Sequence, residues 1–164
     1  MAQHFLHVCG IEIEGQRVEW AKKRIPTAEI ECGSATSLPW PDNEFDLVTS
    51  TDVFEHISTS QQHVAAAEMF RVTKRGGCGF VKVPNRFQLY DEHNYIKYAT
   101  WLPNSLRKHY VQLKSKNPYV QCWERTGRGW EKLFKQTGFQ VVVKPVATRY
   151  LFFPCGYRIY LRKV

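Results

Sequence analysis

The chain has 164 residues, 23 of them Lys or Arg against 15 Asp or Glu, for a formal charge of +8 with 43% apolar residues. That length and apolar share suit one globular domain and exclude wholesale disorder, collagen-like repeats and heptad arrays. No apolar run approaches the roughly 20 residues a membrane helix needs, because the most apolar stretch, Val141 to Cys155, is broken by Lys144, Pro145 and Arg149.

Short apolar runs alternate with helical patterns through the first half, the signature of βαβ units around a mainly parallel sheet. A strand is predicted at His7 to Ile13, a helix at Gly15 to Arg24 stopped by Pro26, and a short strand at Glu29 to Cys32. The proline-punctuated loop Leu38 to Asn43 leads into a buried strand at Phe45 to Ser50. Ser58, Thr59 and Ser60 offer capping hydroxyls for a helix reaching Lys74, with Ala65, Met69 and Val72 on one face and Gly76-Gly77 closing it. Gly79 to Val83 is the next strand, ended by Pro84. Trp130, Leu133, Phe134 and Thr137 recur at helical spacing, Gly138 terminates that helix, and Phe139 to Val143 is a further strand. Tyr157 to Arg162 alternates apolar and basic residues, as a half-exposed strand near a sheet edge would. Residues 85–128 hold many aromatics without a clean period, and an insertion after a parallel strand falls at the carboxyl edge of the sheet, where ligands bind. It is expected to be a substrate cap within a single domain spanning 1–164.

Five separated cysteines, Cys9, Cys32, Cys78, Cys122 and Cys155, form no Cys-x-x-Cys pair and have no His at ligand spacing beside them. They suit buried thiols in a reducing cytosol, and no metal is expected. The N-terminus lacks the pattern of an export signal, so a cytoplasmic, soluble protein is expected. Charge is uneven: residues 1–84 carry eight bases against eleven acids, and residues 85–164 fifteen against four.

Glu12 ends a predicted parallel strand, where an ionised carboxylate offers two oxygens that match the vicinal hydroxyls of a ribose. It is followed in order by Gly33-Ser34-Ala35, the run LPWPDNEFDLV over 38–48, Asp52-Val53-Phe54-Glu55-His56-Ile57, and Gly76-Gly77 ahead of a strand. In this order and spacing, residues 1 to about 84 resemble the class I S-adenosylmethionine-dependent methyltransferases, in the group that includes the ubiquinone and menaquinone methyltransferases. Trp130 to Val143 resembles that family's late helix and strand. The fold implied is α/β, a Rossmann-like three-layer sandwich with a mostly parallel sheet.

The resemblance implies that Glu12 holds the ribose of S-adenosylmethionine, with Ile13 beside the adenine. Ser34 and Ala35 fall at the adenine edge, Ser34 standing where the family usually has Asp, and a hydroxyl accepts a hydrogen bond more weakly than a carboxylate. Ser50, Thr51 and Asp52 fall beside the methionyl part and the reactive methyl. His56 follows the strand-to-helix turn on the substrate side and is the candidate general base. Tyr90, His93 and Trp101 are candidate acceptor contacts, with Asp91 and Glu92 beside them. The family also begins with a strand and a glycine-rich loop that this sequence lacks, residues 2–8 resembling instead the tail of the helix that follows them. A truncated enzyme impaired in cofactor binding is therefore expected, with unpaired edges on the strands at 7–13 and 45–50.

Methyl transfer to a small or medium, lipid- or sugar-like acceptor is the leading expectation. The alternatives are a non-catalytic interaction module and, suggested by the basic second half, a nucleic-acid methyltransferase or binder. The last is disfavoured because no recognition motif or compact Lys/Arg cluster is present.

Overall fold

A computed structural model describes residues 7–91, 93–146 and 154–164. Of the helix tail expected at 2–8, residues 2–6 lie outside these described residues, as does Glu92, and His7 and Val8 are not helical. Cys9–Glu12 forms strand β1, Gly15–Arg24 helix α1 and Glu29–Cys32 strand β2. β1 and β2 pair in parallel, from Cys9 opposite Glu29 to Glu12 opposite Cys32, so the strand expected from His7 is confined to the residues that have partners. Lys22, Lys23 and Arg24 fill the last turn of α1, where cations complement the helix dipole.

A second, four-stranded sheet holds β3 (Phe45–Thr51), β4 (Thr73–Pro84), β7 (Gln140–Val146) and β8 (Gly156–Arg162) in the order β3-β4-β8-β7. β3 and β4 run parallel, and β8 is antiparallel to both β4 and β7. No strand ladder joins the two sheets among the described residues, so β1 and β3 each have a partner on one side. β8, expected near an edge, is interior. Its alternation marks two different faces, one under helices and one open.

Helices α2 (Gln62–Val72) and α4 (Gly127–Gln136) cover the first of those faces. Ala65, Ala66 and Met69 meet Trp130, Leu133 and Phe134 there, over Val81, Val83, Ile159 and Leu161. Gly79 faces the same way: a Cβ on it would meet the Met69 methyl at 3.0 Å and Leu161 at 3.1 Å. Cys78, Phe80 and Lys82 point to the opposite face, where Phe80 packs edge-on against Tyr160 and Leu47 and Val142 are exposed. Cys78 here and Cys32 at the end of β2 are exposed, not buried as expected, because Cys78 lies on a sheet face that no helix among the described residues covers and Cys32 ends a two-stranded sheet in which no residue is fully buried; of the five cysteines only Cys122 is fully buried.

Two expectations about α2 are corrected. It ends at Val72, not at Gly76-Gly77, because Thr73 turns extended and its hydroxyl donates to the Met69 carbonyl at 2.6 Å. Gly76, at φ +77°, lies inside β4 near a shift of register against β3, a backbone state glycine adopts without steric cost. At the other end Ser58 serves through its backbone, its carbonyl accepting from the Gln61 and Gln62 amides, and no side chain caps the helix.

The segment between β4 and α4 is more regular than its sequence suggests. It forms a hairpin of β5 (Tyr90–Asp91) and β6 (Ile96–Lys97), a 3₁₀ turn at Ala99–Trp101, and helix α3 (Asn104–Lys114). α3 escapes a search for apolar periodicity because its buried residues are Arg107 and Val111, one of them charged.

Candidate functional site

Glu12 closes β1 with its carboxylate at the carboxyl end of a parallel strand. Its Oε1 accepts the Glu14 amide at 3.1 Å, and Oε2 has no hydrogen-bond partner among the described residues. Gly33 donates its amide to the Glu12 carbonyl at 2.9 Å and brings the Ser34-Ala35 loop alongside. Glu12 also borders an open groove of about 380 Å³ shared with Arg17, Trp20 and Ala21. Ile13 is 71% exposed. Glu12 thus fits a ribose diol. Ser34 fits its expected place less well, because its hydroxyl bonds the Thr36 hydroxyl at 2.8 Å and accepts the Thr36 amide at 3.2 Å. Ala35 packs against the core of the larger sheet.

Ser50, Thr51 and Asp52 stand at the carboxyl end of β3, on the other sheet. Asp52 adopts φ +56° and its carboxylate pairs with Lys82 at 2.8 Å. The 3₁₀ turn Phe54–His56 follows. Phe54 is its anchor, packed edge-on against Trp130 and Phe134. Gln62 fastens the turn further by donating to the carbonyls of Phe54, Ile57 and Trp123 at 2.9–3.1 Å. Glu55 is fully buried as a result, and neither of its carboxylate oxygens has a hydrogen-bond partner among the described residues. His56 projects outward.

The insertion returns to this turn. Asp91 is buried and accepts from the His93 amide, the Asn94 amide and the Asn94 side chain, which shapes the hairpin loop carrying His93. The His93 ring sits edge-on to His56 at 4.7 Å, with Nε2 at 3.6 Å from Glu55 Oε1. Glu55 raises the His93 imidazole above its ordinary value, against the opposing effect of burial. Cys122 places Sγ at 3.7 Å from His56 Nδ1, and burial pushes its thiol well up. Trp101 donates its indole N–H to the Gln88 carbonyl at 3.0 Å and touches Phe87 and Tyr98, forming an exposed aromatic patch. Tyr90 is exposed on the hairpin.

The structure therefore groups the expected residues in three places: Glu12, Ile13, Ser34 and Ala35 at the ends of β1 and β2; Ser50, Thr51 and Asp52 at the end of β3; and His56 with His93 under the insertion. Sequence reasoning missed Cys122 and the buried pair Arg107–Glu124, in which Nη1 lies 2.9–3.0 Å from both carboxylate oxygens. The signal for that pair was weak, one acid among the four of the second half.

Residues 1–81 match the family model described as a methyltransferase domain. A demethylmenaquinone methyltransferase of Renibacterium salmoninarum is 36% identical over 72 residues, covering 44% of this chain and 30% of that protein. An uncharacterized methyltransferase of Synechocystis is 26% identical over 144 residues, covering 88% of this chain and 61% of that protein. The chain thus spans less than two thirds of either relative. Among solved structures, an S-adenosylmethionine-dependent methyltransferase from Mesorhizobium loti superposes with a TM-score of 0.72 at 13% identity, over 96% of this chain and 80% of that one. That likeness establishes the Rossmann-like α/β fold. The first half of the chain is thus similar in sequence to methyltransferase domains, and the chain as a whole has the fold seen in S-adenosylmethionine-dependent methyltransferases.

Proposed function

We propose that the chain binds S-adenosylmethionine at the carboxyl ends of β1 and β2 and serves methyl transfer to a small or medium acceptor held under the insertion. The observation that carries this reading is Glu12, a half-buried carboxylate at a parallel strand end with one oxygen that has no partner among the described residues and can accept from a ribose hydroxyl. When bound, the cofactor supplies a methyl group already activated by its sulfonium. The chain's own work is then to bind, orient and exclude water. Glu12 holds the sugar, the Ala35 backbone meets the adenine edge, and the end of β3 flanks the methionyl side. Trp101 and Tyr90 offer aromatic faces to an apolar or sugar-bearing acceptor.

Cofactor affinity is proposed to be low. Ser34 spends its hydroxyl on Thr36 and Asp52 spends its carboxylate on Lys82, leaving Glu12 with few helpers. The basic second half gives little support to nucleic-acid binding, because Arg86, Arg107, Arg125 and Lys163 donate to Leu102, Glu124, Gln62 and Phe70 inside the fold. No helix among the described residues is long and apolar enough to cross a membrane.

Titration calorimetry with S-adenosylmethionine and its demethylated product tests the reading. Binding weaker than micromolar that falls at least tenfold in Glu12→Ala is expected. Affinity indifferent to Glu12→Ala would remove the proposed site, and micromolar binding would remove the claim of weakness.

A further inference from the structure

We propose that His56, His93 and Cys122 form a site for a zinc-class divalent cation, with the buried carboxylate of Glu55 behind it. One ligand atom from each of the three residues lies within 4.8 Å of the other two. The separation of Cys122 from His56 suits a tetrahedral centre: with metal–sulfur and metal–nitrogen bonds of about 2.3 and 2.05 Å, the S···N edge of a tetrahedron is about 3.6 Å. The Sγ to Nδ1 distance here is 3.7 Å.

Glu55 supplies an independent indication. Its side chain is completely buried and, among the described residues, both oxygens lack hydrogen-bond donors, a state that is costly for a carboxylate unless positive charge stands close by. The nearest cationic partner is the His93 ring, 3.6 Å from Oε1. Ligating histidines characteristically have a carboxylate against their second nitrogen, which orients the ring and raises its basicity. The three ligands also come from separately fastened segments. Phe54 pins the turn of His56 into the core, Asp91 shapes the loop of His93, and Trp123, next to Cys122, donates its amide to the Glu55 carbonyl at 2.7 Å.

Two imidazoles and a thiolate are borderline-soft donors, which favour zinc over magnesium or calcium. On binding, the Cys122 S–H bond breaks, its proton passes to solvent and a sulfur–metal bond forms, with no change of oxidation state. Three protein ligands leave one coordination position for water on the exposed side of His56. A ligating His56 is not a proton acceptor, so this assignment displaces the general-base role expected for it and revises the expectation that no metal binds. Local spacing could not reveal the site, since His56 and Cys122 are 66 positions apart. The other such group among the described residues, His7, Cys9 and Glu29, is largely exposed, has no buried orphaned carboxylate behind it among them, and serves as a control.

The test is titration of the chelator-treated full chain with cobalt(II) under a non-thiol reductant, followed by competition with zinc. One equivalent should bind with tetrahedral ligand-field bands and a thiolate-to-cobalt charge-transfer band, both erased by zinc. Cys122→Ser should lose the charge-transfer band, and His93→Asn should weaken zinc at least tenfold. His93 is part-exposed, so that variant tests the site even where Cys122→Ser fails to fold, provided its circular dichroism is unchanged. Glu55→Gln should cost about ten- to a hundredfold in affinity, and Cys9→Ser should change nothing. Absence of stoichiometric uptake, unchanged affinity in His93→Asn, or loss of the charge-transfer band in Cys9→Ser instead would overturn the proposal.

Discussion

The β1–α1–β2 unit and the sheet under α2 and α4 are built from the same alternation of strand and helix, yet they bury very different amounts. α1 hides Val18 alone and no residue of β1 or β2 is fully buried, whereas the larger sheet closes over a cluster running from Phe54 to Leu161. A two-stranded sheet under one helix is marginal by itself. What holds the smaller unit is a clasp in the loop that follows it. Arg71 on α2 donates to the carbonyls of Leu38 and Trp40 and to Asp42, while Glu68 accepts the Leu38 amide at 2.7 Å and pairs with Arg71. The larger body is held by packing and the smaller one chiefly by polar contacts, with Ala35 alone of its following loop packed on the core, so they should fail in different ways.

Phe134→Ala strikes the packed body hardest. Removing this fully buried ring from between Phe54 and its neighbours should cost about 3–5 kcal/mol, read as a fall in the denaturant midpoint with protection lost throughout β4 and β8. Arg71→Ala strikes the clasp. It should cost about 1–3 kcal/mol, and its signature is spatial: hydrogen exchange at residues 9–32 should quicken while amides of β4 keep their protection. Uniform quickening would erase the contrast between the two bodies.

Acid should open the same clasp without a mutation. The Arg71 guanidinium holds the Glu68 carboxyl below its ordinary value near 4.5, so this contribution is complete above that pH and is lost as pH falls through the lowered value of the folded state. Exchange at 9–32 should therefore accelerate below about pH 4.5 in the native chain, and the acceleration should be absent in Glu68→Gln. Thr126→Ala, which deletes the hydroxyl that accepts the Gly129 amide at the start of α4, should cost about 1 kcal/mol in the packed body alone. The smallest effect belongs to Glu131→Gln. Its pair with Lys135 on the exposed side of α4 is worth about 0.3–0.5 kcal/mol and should vanish in high salt.

The two bodies also differed in how far their sequences could be read. Gly15–Arg24 and Glu29–Cys32 match their expected bounds because apolar spacing and Pro26 act within a few residues of one another. The β3 start and the α4 face were legible for the same local reason. What escaped depended on distant partners: the interior position of β8, the end of α2 at a threonine hydroxyl, and α3, whose buried Arg107 is neutralised by Glu124 from another segment. At the site, the acid ending β1 could be found from its strand. The meeting of His56, His93 and Cys122 could not, because only the folded insertion brings them to one point.

Gly79 has a further consequence for assembly of the larger sheet. Its neighbours would have to give way even to a methyl group, and successive residues of a strand face opposite sides. Any ladder slipped by one position would drive Cys78 or Phe80 against Met69 and Leu161. A glycine at this place in β4 therefore works as a gauge, disfavouring misaligned strands during folding because its narrow slot takes nothing larger without displacing its neighbours.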